Sequence, residues 1–289
     1  MTGIEKLITT ARRYCIDNYA FWMDKYTQKN SGNCNPYSDE DYDLFPRYNV
    51  LTAIRQGVEI VVGQDFSSFE ICKQTLKGIG KNSNSIFTIN SNEELHLVGE
   101  SARYCILSGM KQLNPIEKNA ILDERKKFID FVETRTPENV SNVEPLPYRR
   151  RLTDKKMLEV RQKLLEKWNY DGDYWNPEED RNLKKTVFLM NNSLTLEDRR
   201  KIMELLIQKS DGRLYKITEE RIDYEIEFDS FDFDLSETIV TDKTFEWVIY
   251  GSHESTIEFG SDWLTEFIEN LFAERKDKLN KWEQYWLKK

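Results

Sequence analysis

The sequence predicts an α+β protein, with a mostly helical N-terminal half and a C-terminal antiparallel sheet covered by helices. Three observations carry this reading. Apolar residues recur at helical spacing through most of the first 133 positions. A polar, proline-bearing stretch at 136 to 151, TPENVSNVEPLPYRRR, then breaks that periodicity. Beyond it, short runs rich in aromatic and β-branched residues follow at close intervals, as strands of an antiparallel sheet do.

The first helix is expected over about residues 3 to 27, where Ile4, Leu7, Ile8, Ala11, Cys15, Tyr19, Trp22 and Tyr26 share one face. The polar SGNCNPYSDED ends it. A second helix is expected to start at Pro46, whose fixed φ suits the first helical position, and to carry Val50, Leu51, Ile54, Val58 and Val61 inward. Residues 66 to 79 read as helix. KNSNSIFTINSNEE reads as a polar loop with 86 to 89 briefly extended, and 93 to 110 and 114 to 133 read as two further helices. The domain boundary falls in the proline-bearing stretch, giving a helical domain at 1–143 and an α+β domain at 144–289.

In the second half, Thr153 can cap a helix through Trp168, and TVFLM at 186 to 190 reads as a strand. Thr195 and Asp198 have capping spacing for a helix carrying Leu196, Ile202, Leu205 and Leu206. RLYKI, DYEIEF, FDFDL, FEWVIY and STIEF are then the expected strands. A final helix with Trp263, Leu264, Phe267, Ile268, Leu271 and Phe272 covers their sheet.

Composition narrows the function. Hydrophobic residues make up 39% and charged residues 32%, which suits a packed globular chain with a solvated exterior. No stretch approaches a membrane span and the N-terminus lacks the apolar core of a signal peptide, so a cytoplasmic location and no membrane partner are expected. Cys15, Cys34, Cys72 and Cys105 are widely spaced and read as free buried thiols. The net charge is −9, and residues 219 to 234 alone carry eight carboxylates and one arginine. Such a balance argues against a broad nucleic-acid-binding surface.

Several motifs begin and fail. GIGKNS at 78 to 83 has Thr75 where a phosphate loop needs its first glycine and Asn82 where it needs a hydroxyl, so it reads as a turn after a helix. NYDGDYWNPEED spaces Asn169, Asp171, Asp173 and Asp180 like calcium ligands, but its glycine is fourth instead of sixth. His253-Glu254 opens a zinc-protease motif whose second histidine is replaced by Ile257. No metal site and no cofactor are expected. A hydrolase using Ser252 or Ser255 with His253 is disfavoured, since neither serine sits in a nucleophile elbow.

IYGSHESTI reads as a hairpin in which Gly251 and Ser252 turn, leaving Ser252, His253 and Glu254 as polar groups at a rigid tip. In DYEIEFDSFDFDL, Asp223, Glu225, Glu227 and Asp229 alternate with Tyr224, Ile226 and Phe228, which implies a row of charges on one strand face. The phase slips at Ser230, implying a bulge or turn before Asp232 and Asp234. Arg149, Arg150 and Arg151 could meet an anion, or could face this acidic segment within the molecule, and the intramolecular reading is favoured.

Together FPRYNVLTAI, EPLPYRRRL and WVIYGSHESTIEFG resemble a family of uncharacterised bacterial cytoplasmic proteins. That resemblance implies a bacterial, intracellular unit and brings no activity with it. The expected function is a non-enzymatic binding protein, immunity- or antitoxin-like. It would dock a basic protein partner through Glu225, Glu227, Asp229 and Asp232. The alternative is an enzyme with His253 as general base, oriented by Glu254 or a distant carboxylate.

Overall fold

In the computed structural model the described residues are 1–31, 38–83, 115–175, 186–210, 212–219 and 222–280. The fold is α+β: helices dominate the first half and a seven-stranded antiparallel sheet forms in the second. The chain packs as two compact units, Met1–Leu146 and Pro147–Lys289.

The first unit is built from α1 (Gly3–Asn30), α2 (Asp39–Val58), α3 (Phe69–Asn82) and α4 (Pro115–Glu133). Helix α1 starts at a capping box in which Thr2 and Glu5 satisfy each other's backbone amides, and its Leu7, Ala11 and Cys15 are buried. Helix α2 departs from expectation. It starts seven residues before Pro46, because Ser38 and Asp41 form a second capping box there, and Pro46 lies inside the helix. GIGKN is likewise not a turn but the last turns of α3. A Cβ at Gly80 would lie 2.6 Å from the Phe128 ring, so the glycine serves helix packing. Arg125 donates to the Gly80 and Ser83 carbonyls that the helix end leaves open. Cys15 and Cys72 are free and buried. The expected helix at 93–110, the extended piece at 86–89, Cys34, Cys105 and Asp180 lie outside the described residues.

Residues 136–144 are less of a linker than their composition suggests. Val140 is buried in the helical core, and Lys6 and Arg13 of α1 donate to the Ser141 and Glu144 carbonyls.

The second unit holds strands β1 (Arg149–Arg151), β2 (Thr186–Met190), β3 (Leu214–Thr218), β4 (Tyr224–Ile226), β5 (Thr238–Asp242), β6 (Val248–Gly251) and β7 (Thr256–Gly260), in the spatial order β1-β4-β3-β5-β6-β7-β2. Helix α5 (Asp154–Trp168) covers one face through Val160, Leu164 and Trp168, which pack with Tyr215, Ile217, Ile239, Val248 and Tyr250. Helices α6 (Leu196–Lys209) and α7 (Asp262–Leu271) cover the other through Ile202, Leu206, Leu264 and Ile268. Thr153, Thr195 with Asp198, and Ser261 cap these three helices.

Two strands, β1 and β5, were not anticipated, and one expected strand is absent. FDFDL makes no ladder. Its Phe231, Phe233 and Leu235 are buried against the α6/α7 side of the sheet, so the alternation is real but serves a connection lying across the sheet. The expected slip at Ser230 appears as a 3₁₀ turn at Phe228–Ser230.

Candidate functional site

The charged row expected on one strand face is split by burial. Asp223 is only 2% exposed and is held by Arg161, whose Nε and Nη2 donate to its two oxygens at 2.7 and 2.8 Å. Burial raises its pKa above the usual carboxylate value, against the opposing pull of Arg161. Glu225 is half-buried, accepting from Tyr148 Oη at 2.6 Å and lying 3.4 Å from Arg213 Nη1. Burial, and then Glu225, push the Tyr148 phenol up to about 12. Because β4 ends at Ile226, strand alternation no longer governs Glu227 and the residues after it.

Arg149, Arg150 and Arg151 form edge strand β1, with Arg150 opposite Glu225 and Arg151 opposite Tyr224. Arg149 lies with its guanidinium carbon 3.8 Å over the Tyr224 ring. The arginine run thus pairs with the molecule's own acidic strand, while the Glu225 carboxylate is met by Tyr148 and Arg213.

What reaches solvent is the connection from β4 to β5. Glu227, Asp229, Asp232 and Asp234 are exposed, while Phe231, Phe233 and Leu235 between and beside them are buried. Among the described residues none of these four carboxylates forms an ion pair with a lysine or arginine. The apolar anchors hold the connection down, and Asn191 Nδ2 donates to the Phe233 carbonyl at 3.1 Å. At Gly251 a Cβ would lie 2.3 Å from Leu235 Cβ and 2.4 Å from its carbonyl oxygen, so only glycine admits the crossing.

The connection ends at the hairpin tip. Strand β6 continues through Gly251, so the turn is Ser252–Ser255 and not Gly251-Ser252 as expected. Ser252 N–H donates to the Thr256 carbonyl, Ser255 N–H donates to the Ser252 carbonyl, and Ser255 takes a left-handed φ of 62°. This is a three-residue hairpin loop closed by a bulge. The buried Ser252 hydroxyl is engaged within the loop, 2.7 Å from Thr256 Oγ1 and accepting from Glu254 N–H.

His253 and Glu254 stand exposed at the tip. His253 Nδ1 is 2.9 Å from Glu237 Oε1, a carboxylate sixteen residues upstream, while Glu254 Oε2 is 3.5 Å from Tyr174 Oη. Glu219 donates its backbone N–H to the Glu237 carbonyl, and its side chain accepts from Tyr250 Oη at 3.1 Å. Burial, and then the nearby Glu237, raise the Glu219 pKa.

The exposed acids therefore form a ribbon from Glu227 through Asp234, running into Glu237, Glu254 and Glu219 around His253. Of the residues expected to bind, Glu227, Asp229, Asp232, His253 and Glu254 lie on it, while Glu225, Ser252 and β1 serve the fold. Sequence reasoning missed Glu237 and Glu219. Among the described residues no group of three or more His, Cys, Asp or Glu is arranged to hold a metal ion, and no helix is long and apolar enough to cross a membrane. Compared with family models, curated proteins and solved structures, the chain finds no match.

Proposed function

We propose that this chain is a non-enzymatic binding protein of the bacterial cytoplasm, immunity- or antitoxin-like, that docks a basic protein along the acidic ribbon. The observation that carries the reading is the run of four exposed carboxylates, Glu227, Asp229, Asp232 and Asp234, without lysine or arginine ion pairs among the described residues. Like charges on one surface repel and contribute nothing to folding, whereas a fixed row of them attracts a cationic partner and speeds its approach. The buried Phe231, Phe233 and Leu235 give the row a rigid base.

The test is to capture the partner from host lysate and follow its association by stopped flow. Wild type is compared with the quadruple variant Glu227→Gln, Asp229→Asn, Asp232→Asn, Asp234→Asn. At low salt the variant should associate about tenfold more slowly or worse, its salt dependence should flatten, and its unfolding midpoint should hold. Unchanged association kinetics would overturn the proposal.

A second reading is favoured by the contact of His253 Nδ1 with Glu237 at 2.9 Å. A carboxylate on Nδ1 orients an imidazole for proton transfer through its other nitrogen, and burial, then Glu237, raise the pKa of the neighbouring Glu219.

A further inference from the structure

Lys216 is the only lysine on any of the seven strands. It sits in β3 between Tyr224 of β4 and Val240 of β5, on the sheet face that α6 and α7 cover. Arg151 lies in the same cross-strand row, directly opposite Tyr224. Arg149 is on that face too, its guanidinium stacked on the Tyr224 ring. Three cationic side chains, two from β1 and one from β3, therefore flank Tyr224 of the strand between them.

Lys216 is half-buried and forms no hydrogen bond or ion pair among the described residues. The charged groups around it are Asp232 and Asp234 of the overlying connection, which favour its ammonium form, and Arg149 of β1, which opposes it. Burial is the largest effect, and the pKa falls below that of an ordinary lysine. A desolvated amine beside a second cation is the setting in which lysine becomes a nucleophile towards carbonyl carbon. Arg149, planar and always charged, suits a carboxylate or phosphate on the same molecule.

We propose that Lys216 captures a small aldehyde or ketone bearing an anionic group, as an imine, with Arg149 positioning the anion. The lysine nitrogen adds to the carbonyl carbon and the C–N bond forms. The carbonyl oxygen takes up the two protons the amine loses and leaves as water, so no oxidant or reductant is needed. The site has Asp232 and Asp234 in common with the acidic ribbon, but it does not rest on the docking proposal, since its labelling is read without any protein partner.

The test uses glyoxylate as probe and cyanoborohydride to reduce the imine, at neutral pH, with peptide mapping by mass spectrometry. Lys216 should label about tenfold faster than Lys126, whose side chain is 75% exposed. Lys216→Arg should abolish that label. Arg149→Gln should slow labelling by glyoxylate more than by uncharged propanal, which loses only the help Arg149 gives in keeping the amine neutral. Labelling that simply follows exposure and passes over Lys216 would overturn the proposal. So would a glyoxylate-to-propanal ratio at Lys216 that Arg149→Gln leaves unchanged. The wild-type comparison needs no variant and stands even if Lys216→Arg misfolds.

Discussion

Glu237 is a non-glycine residue at φ 48°, a conformation that costs on the order of 1–3 kcal/mol unless its surroundings impose it. Its carbonyl accepts the Glu219 N–H and its carboxylate meets His253, so both ends of the residue are held. The sequence offered Glu254 as the obvious neighbour for His253, but adjacent residues diverge. The partner came instead from the β5–β6 register: with Thr238 opposite Gly251, the residue before β5 is brought beside the turn after β6. Since β5 was not anticipated, that pairing was not legible. His253 is 57% and Glu237 41% exposed, so their contact is worth at most about 1 kcal/mol. His253→Ala should therefore lower stability by no more than about that amount in a denaturant titration. A loss of about 3 kcal/mol would make the imidazole a structural part of the turn. Any turnover found in wild type that disappears in this variant, with stability kept, would assign the tip to catalysis.

Individual elements were legible where local chemistry and burial agree. The caps Thr153 and Thr195, the two helices they start, and the strand TVFLM follow from residue type alone. Where two local rules compete, the sequence is ambiguous. Pro46 suits a helix start, yet the Ser38–Asp41 capping box satisfies two amides and wins. FDFDL alternates as a strand should, but an apolar-in, polar-out connection on a sheet face has the same period. The hairpin between β6 and β7 shows a third case, a loop that needs a left-handed residue and has Ser255 there. Glycine adopts that conformation without the clash between Cβ and carbonyl. Ser255→Gly should raise stability by about 0.5–1 kcal/mol, and Ser255→Val should lower it by a similar amount or more. Thermal unfolding of the three proteins checks this, and a destabilised glycine variant would show that the serine makes a compensating contact.

At the scale of the whole molecule, each unit encloses its own apolar core. One is formed by Leu7, Val50, Ile54, Leu76 and Phe128 with their neighbours, the other by the two layers on either side of the sheet. The change of texture near residue 144 was legible because a helical period gives way to a period of two. The extent of the linker was not. Proline and small polar residues mark 136–151 as a linker by composition, whereas burial of Val140 and the bonds from Lys6 and Arg13 bind 136–144 to the first unit, and residues 149–151 join the sheet. Tyr148 belongs to the second unit as well, its carbonyl accepting from Glu227 N–H and its hydroxyl donating to Glu225. Units of this size bury roughly two thirds of the surface their unfolded chains expose, enough for each to fold alone. Residues 1–146 and 147–289, expressed separately, should each show a cooperative unfolding transition, and the second should keep the acidic ribbon and its partner binding. If the second piece unfolds without the first, the sheet depends on the helical unit for stability, and the chain is one cooperative body whose binding must be measured on the full length.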